Sequence, residues 1–507
     1  YAYAAKKAGL NTVRERYSWW TNDYSGFESA IYKESEAGLD VIAVSSDYSH
    51  GGYLRQTDMF TDDLFNVYDF QKNISSYFKD KVDAWEICNE MDHDNFGEIP
   101  SDVYSSFYKA AAIAVKDSGS GSLVMFGGLC LDPSESDFSE MMIKNDVMRY
   151  SDAYNIHRHL PAAYTNIQAF DTDFVKKHEN LMLKSGYNRP IWVTEAGLAI
   201  SYVNDNNLKK QARYAVTSAV ESISAGTDRH FWFILPQFKT GGKYEYGVFD
   251  EKNQPNPAYA SLAVMTNILG KGEYKGRLNW GNIYGYVFNN GKNDVLVAWA
   301  DGSVSMNIEQ SHKVYDLMGN ELNGNLKIGY DPVYLVFDDK LDTSLYDVKK
   351  VSDREVTKPF DEKDRIVIQA DCNGLEDLKN VRNNGYLIGD NERRTVKLRI
   401  YNFNDSAFDG VLKYDADCFD ISFNTEKVTI PSKSSITVEA TIKPNDKCVN
   451  KSEYVSFYVE SNKGNTSPTV IKFIKAFSVQ IDDKNTKPDR VSGGFYSDNR
   501  GIGFSGG

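Results

Sequence analysis

The segment Trp85-Glu86-Ile87-Cys88-Asn89-Glu90 reads as an apolar strand ending in an amide and a carboxylate, followed by the polar loop Met91-Asp92-His93-Asp94-Asn95-Phe96-Gly97-Glu98. A second segment, Ile191-Trp192-Val193-Thr194-Glu195-Ala196-Gly197, has the same design, with a carboxylate at the end of an apolar run. Working outward, similar runs recur at residues 11–17, 40–45, 84–88, 122–126, 153–157, 190–194 and 230–235. Their apolar, β-branched and aromatic content suits buried parallel strands. Helical patterns lie between them, among them 104–116 and 208–225, with a last helix at Pro257–Leu269. AKKAG, KSG and SAG each place a glycine where a helix C-cap belongs. Alternation of this kind over residues 1–269 predicts the α/β class, as a (β/α)8 TIM barrel. Seven strands are legible. The opening YAYAAKKAGLNTV reads as the end of a helix entering a strand, so the first barrel strand is expected to be absent from this chain and to precede Tyr1.

Beyond residue 269 the helical period stops. NIYGYVFNN, DVLVAWA, HKVYDLMGNEL and DPVYLVFDD predict a small antiparallel β-sheet domain over 270–342. TVKLRIYNF, ITVEATIKP, EYVSFYVE and TVIKFIKAF predict an Ig-like β-sandwich over 343–482, read as a spacer in preference to a sugar-binding module. Residues 483–507 are glycine-rich and read as linker or tail.

Composition narrows the function. The 507 residues carry 57 basic and 71 acidic side chains, a net charge of −14, so nucleic acid is not an expected partner. No run approaches the roughly 20 apolar residues that span a bilayer, and no membrane insertion is expected. Aromatic residues make up 13%, a content that suits sugar faces as well as β-rich domains. Five cysteines form no CxxC pair; most are expected to be free and buried, with a bridge among Cys372, Cys418 and Cys448 left open. P-loop, GxGxxG and GxSxG motifs are missing from suitable contexts. The acidic run from Glu90 to Asp94 lacks the glycine and distal glutamate of a calcium loop, and is expected to be a polar rim. No metal and no cofactor are expected.

Glu90 and Glu195 stand 105 residues apart (195 − 90) at the ends of two strands. In a barrel the carboxyl ends of the strands face the active site, so both can meet across the mouth. Glycoside hydrolysis needs such a pair, one to protonate the leaving oxygen and one to attack the anomeric carbon or activate water. On WEICNE and WVTEAG the chain resembles glycoside hydrolase clan A, the retaining (β/α)8-barrel glycosidases, over about residues 1–340. The resemblance implies that Glu195 is the nucleophile, that Glu90 is the acid/base and that Asn89 bonds the sugar 2-hydroxyl.

KKAGLNTVRERYSWW is similar to the family's first helix and second strand, with Arg14 beneath the nucleophile. An arginine in an apolar strand needs a carboxylate, and Glu195 is the candidate whose ionised form it would favour. SDAYNIHRH is similar to the sixth strand, which often ends His-x-Tyr; His157 fits, and His159 stands in the place of the tyrosine. The segment around Trp232 is similar to the eighth strand, whose tryptophan floors the −1 subsite. Trp19 and Trp20 offer a sugar platform, and Asp47 and His50 are loop candidates for the cleft. The function so implied is double-displacement cleavage of β-glycosidic bonds in a polysaccharide or oligosaccharide, with a leaning to endo action. A transglycosylase, or a non-catalytic carbohydrate-binding protein on a barrel scaffold, is the alternative. The resemblance further implies a monomer, secreted or at the cell surface of a bacterium.

Overall fold

In the computed structural model, residues 1–18, 25–46, 63–93, 96–97, 99–160, 170–241, 244–349, 353–372, 374–375, 377–380, 383–389, 392–448, 452–476, 495–498 and 501–504 are described. Trp19, Trp20, Asp47, His50 and Asp94 lie outside them. The chain begins α1 (Ala2–Lys7), β1 (Thr12–Ser18), α2 (Ser25–Glu36), β2 (Asp40–Ser46), α3 (Leu64–Tyr77), β3 (Ala84–Ile87), α4 (Ser101–Asp117) and β4 (Leu123–Phe126). It continues α5 (Phe138–Lys144), β5 (Tyr154–His157), α6 (Thr172–Lys184), β6 (Ile191–Ala196), α7 (Asp205–Ser224), β7 (Arg229–Trp232), β8 (Lys239–Thr240), β9 (Tyr244–Glu245) and α8 (Pro257–Leu269). Side-chain caps start several helices: Asp63 accepts from Phe65 N at 3.1 Å, Asp171 from Phe174 N at 3.1 Å and Asn204 from Asn207 N at 2.9 Å.

β1 to β4 pair in sequence order and in parallel, as do β5 to β7. A parallel bridge between Leu129 and Ile156 joins the two sets into one curved wall. Among the described residues no strand pairs β7 with β1, so these two form the margins. Burial follows from that: β3, β5 and β6 are buried throughout, whereas β7 and the described side chains of β1 are only half-buried. On the outside, α1 rests on α8, where Tyr259 Oη donates to Ala4 O at 2.9 Å.

Period-two alternation sorts the wall's interior into layers. Ile42, Ala84, Met125, Ala153, Trp192 and Phe231 make one small apolar cluster. Two residues further along β3, β5 and β6 come Glu86, Asn155 and Thr194, so a polar layer sits on an apolar plug.

An antiparallel seven-stranded sheet follows, with outer strands Glu321–Leu322 and Tyr346–Val348. It therefore runs past residue 342, where the sequence pattern ends it. One face, with Tyr286, Val297 and Trp299, packs on α7 and α8. Two further sheets enclose a second core that includes Leu398, Ile400, Val438, Phe457 and Phe473. Cys418 and Cys448 are disulfide-bonded there, while Cys88, Cys130 and Cys372 take no part in a disulfide among the described residues. A short hairpin, Phe495–Asp498 with Gly501–Phe504, lies in the segment read as a tail.

The sandwich packs directly on the barrel. Its Val367, Tyr401 and Phe403 belong to the same apolar cluster as α3 and α4 of the barrel. Phe403 stacks on Tyr68 at 5.1 Å and meets Phe65 edge-on at 5.0 Å. Arg365 grips Asp117 through two bonds of 2.6 and 2.7 Å. The buried Lys109 donates to Pro468 O at 2.7 Å, and Asn145 exchanges two bonds with the backbone of Val470. Phe403→Ala should cost about 3–5 kcal/mol. Because that cavity lies in a shared core, calorimetry should show barrel and sandwich unfolding in one transition at lower temperature; a sandwich melting ahead of an unshifted barrel would contradict the shared core.

Candidate active site

Local backbone geometry delivers the carboxylates. β3 ends in a turn where two non-glycine residues adopt left-handed angles, Cys88 at φ 65° and Glu90 at φ 46°. Such angles cost roughly 1–3 kcal/mol each and persist only where the surroundings enforce them. Here the Tyr104 hydroxyl donates to Ile87 O at 2.7 Å and accepts from Gly127 N at 3.0 Å, and Cys88 N bonds Ser45 O. β6 carries a bulge: Ile156 pairs with Val193 and His157 with Glu195, leaving Thr194 as the extra residue. A bulge re-aims neighbouring side chains, so Thr194 and Glu195 both join the interior network.

Arg14 is the hub. Its Nε and Nη2 hold Glu86 at 2.7 and 2.8 Å, Nη2 also donates to Asn89 Oδ1 at 2.7 Å, and Nη1 bonds Glu195 Oε1. Glu86 is fully buried, and Gly128 N also donates to its Oε1, at 3.1 Å. Burial disfavours the guanidinium charge, but Glu86 and Glu195 more than offset this and raise the Arg14 pKa. Burial likewise pushes Glu195 up, yet the charges of His157 and Arg14 and the contact with His159 hold it well below the usual carboxylate range.

Across the mouth, Glu90 Oε1 lies 2.8 Å from His157 Nδ1. His157 Nε2 is 3.0 Å from Thr194 Oγ1, which donates to Asn155 Oδ1 at 2.7 Å. Burial lowers the His157 pKa, but Glu195 and Glu90 outweigh it and the net shift is upward. Gly128 passes so close beneath this ring that a Cβ there would stand 2.2 Å from Nε2, which only glycine avoids. His159 Nε2 reaches Glu195 Oε2 at 3.2 Å.

The structure thus brings together Arg14, Asn89, Glu90, His157, His159 and Glu195. It does not bring Trp232, and that expectation is corrected. Phe231 faces the interior, so alternation turns Trp232 outward, where its ring meets Tyr214 of α7 at 5.9 Å. Phe233 has the inward place, with its ring 5.2 Å from His159 and 5.4 Å from Tyr246. Nor is the acidic loop wholly a rim. Asp92 is buried and accepts from Cys130 N and Leu131 N, and burial pushes its pKa up to about 6 against those bonds.

Glu86, Asn155, Thr194, Gly128, Phe233 and Tyr246 were not legible as site residues. Parity along the strands held the signal for the first three, since Glu86 shares a face with Ala84, Asn155 with Ala153 and Thr194 with Trp192. Glu90, His159 and Glu195 offer donor atoms within 4.8 Å of one another, a spacing that could take a cation. Arg14 and His157 already supply positive charge to both carboxylates.

No protein-family model matches the sequence, and no curated protein matches it. Solved structures do. A family 39 glycoside hydrolase from the gut symbiont Bacteroides cellulosilyticus is 16% identical with a TM-score of 0.54, over 66% of this chain and 77% of that one. A family 30 subfamily 8 xylanase from Clostridium acetobutylicum is 16% identical over 67% and 93%, with a TM-score of 0.47. A glucosidase from Croceicoccus marinus is 11% identical over 88% and 91%, with a TM-score of 0.48. The first of these likenesses shows that this chain shares the fold of that family 39 glycoside hydrolase.

Arg14→Gln strands buried Glu86 without its cation and should cost about 3–5 kcal/mol in urea unfolding. Added to Glu86→Gln, the loss should be smaller than the sum of the singles, because both cut the same bonds. Glu195, depressed in the folded state, stabilises the wild type above its unfolded value of about pH 4.3, and that contribution fades as pH falls toward the folded value. The stability deficit of Arg14→Gln should therefore be largest near neutral pH and narrow as the pH falls below about 4.3, as read by urea unfolding at a series of pH values.

Proposed function

We propose that this chain is a retaining glycoside hydrolase that cleaves β-glycosidic bonds of a polysaccharide or oligosaccharide, with Glu195 as nucleophile and Glu90 as acid/base. The observation that carries the proposal is the spacing of the two carboxylates. One oxygen of Glu90 and one of Glu195 lie within 4.8 Å of each other. Retaining enzymes hold their carboxyl groups about 5–5.5 Å apart, whereas inverting ones leave about 6.5–9.5 Å for a water.

The charges support the same division of labour. Glu195, held ionised by His157, Arg14 and His159, is ready to attack the anomeric carbon. Glu90 gives its proton to the departing oxygen as the C1–O bond breaks and Glu195 forms the new bond to C1. A water then enters, gives a proton to Glu90 and displaces Glu195, with net retention of configuration. Asn89, its Oδ1 held by Arg14, keeps its NH2 group for the sugar 2-hydroxyl. Phe233 takes the sugar-facing role expected of Trp232. The Cys418–Cys448 bridge supports an oxidising, extracytoplasmic setting, and among the described residues no helix is long and apolar enough to cross a membrane.

The test is reducing-sugar release from a polysaccharide panel, wild type beside Glu195→Gln and Glu90→Ala. Glu195→Gln should lose activity at least about 1,000-fold. Glu90→Ala should be rescued by azide on an activated glycoside, giving a glycosyl azide of unchanged anomeric configuration. An azide product of inverted configuration would overturn the assignment. Glycan binding by a folded wild type without turnover would favour the scaffold reading, and oligosaccharide products lengthened by added acceptor would favour the transglycosylase.

A further inference from the structure

Four hydrogen bonds, three of them buried, run in one direction from Glu90 inward. Asn155 Nδ2 lies 3.1 Å from Phe126 O. A carbonyl oxygen only accepts, so the NH2 end of the amide faces it and Oδ1 faces Thr194. Thr194 has one hydroxyl proton and spends it on Oδ1 at 2.7 Å. Its oxygen can then only accept from the ring 3.0 Å away, so His157 Nε2 carries hydrogen. Asn155 and His157 are fully buried and Thr194 nearly so, which leaves no solvent to offer other partners.

With hydrogen fixed on Nε2, His157 turns Nδ1 to Glu90 Oε1 at 2.8 Å. That contact is a hydrogen bond only if one proton lies between the two atoms. We propose that Thr194 and Asn155 are positioning residues which fix His157 as its Nε2–H form and so keep one proton on the Glu90–His157 pair, the proton that Glu90 gives to the leaving oxygen. The proposal deepens the glycosidase reading and rests on its assignment of Glu90.

The proton leaves Glu90 as the C1–O bond breaks, and Glu90 regains one from the incoming water. The pair titrates as a unit, so the alkaline limb of the pH profile belongs to both residues. Other charges face the ring as well. Glu86 Oε1 is 3.8 Å from Nε2, and Glu195 Oε1 is 4.0 Å from Nδ1. Arg14 lies behind those carboxylates, the His159 ring is 6.4 Å away, and Asp92 stands beyond Glu90. No described bond joins any of them to Thr194 Oγ1, so a change at Thr194 leaves these contacts in place.

Thr194→Val removes the acceptor at constant shape. The neutral ring then gains by moving its hydrogen to Nδ1 and donating to an ionised Glu90, and the stored proton is lost at lower pH. For kcat/KM on an unactivated glycan, the alkaline limb should move down by about one pH unit, the worth of one hydrogen bond. Thr194→Ser should restore it. The loss should be smaller on a dinitrophenyl glycoside, whose leaving group needs no proton.

Nitrogen-15 spectra of His157, assigned by their loss in His157→Gln, test the relay without any turnover. The wild type should show Nε2–H and Thr194→Val the Nδ1–H form. An Nδ1–H ring in the wild type, or valine and serine variants with the same limb, would overturn the proposal. A wild type with the Nε2–H ring that hydrolyses no glycan would instead fault the assignment of Glu90.

Discussion

A guanidinium inside a barrel has to be paired, and much of this site follows from that requirement. Arg14 has only a small exposed fraction, and its three partners come from two different strand ends. Glu86 meets it squarely and neutralises it. Asn89 and Glu195 take the remaining donors, which fixes the amide and the carboxylate in place before any ligand arrives. The desolvation cost of such a cluster is large, so its benefit lies in preorganisation more than in net stability. An apolar plug below and a mouth above confine the charges to one layer.

Much of the architecture was legible because parallel strands are apolar throughout and helices end on glycine. The observed strands fall within one or two residues of the sequence reading, apart from 230–235, where pairing ends at Trp232 and the chain then bends into the site. Glu90, Glu195, Arg14, Asn89 and His157 could be found because strand ends in a barrel face the mouth. What escaped was orientation. The resemblance of its segment to the family's eighth strand drew the assignment to Trp232, yet one step of alternation gives the inner place to Phe233. Glu86 was hidden inside an apolar run, although a buried glutamate on the same face as Ala84 has to answer a cation. Thr194 follows the parity of Trp192, but only the bulge opposite it brings Glu195, its neighbour, into the same network.

The packing of the sandwich on the barrel was not legible in the sequence. Alternating strands report a sandwich's own core and say nothing of an outward face. Tyr401 and Phe403 look like ordinary strand-end aromatics in the sequence, but they close over α3 and α4. Together with the Arg365–Asp117 and Lys109–Pro468 contacts they make the second β region a buttress for one side of the barrel.

The tie between β1 and the interior carboxylates has a dynamic side. A strand opens locally at a cost set by its ladder and by the side-chain bonds it carries. β1 carries Arg14, so its opening would also leave Glu86 and Glu195 as bare charges in the interior. Local opening of β1 is thereby charged with the cost of dismantling the site. In turn, any ligand that draws Glu195 away from Arg14 loosens one of the ties of that strand. Occupancy at the mouth and amide exchange along β1 become two readings of a single equilibrium.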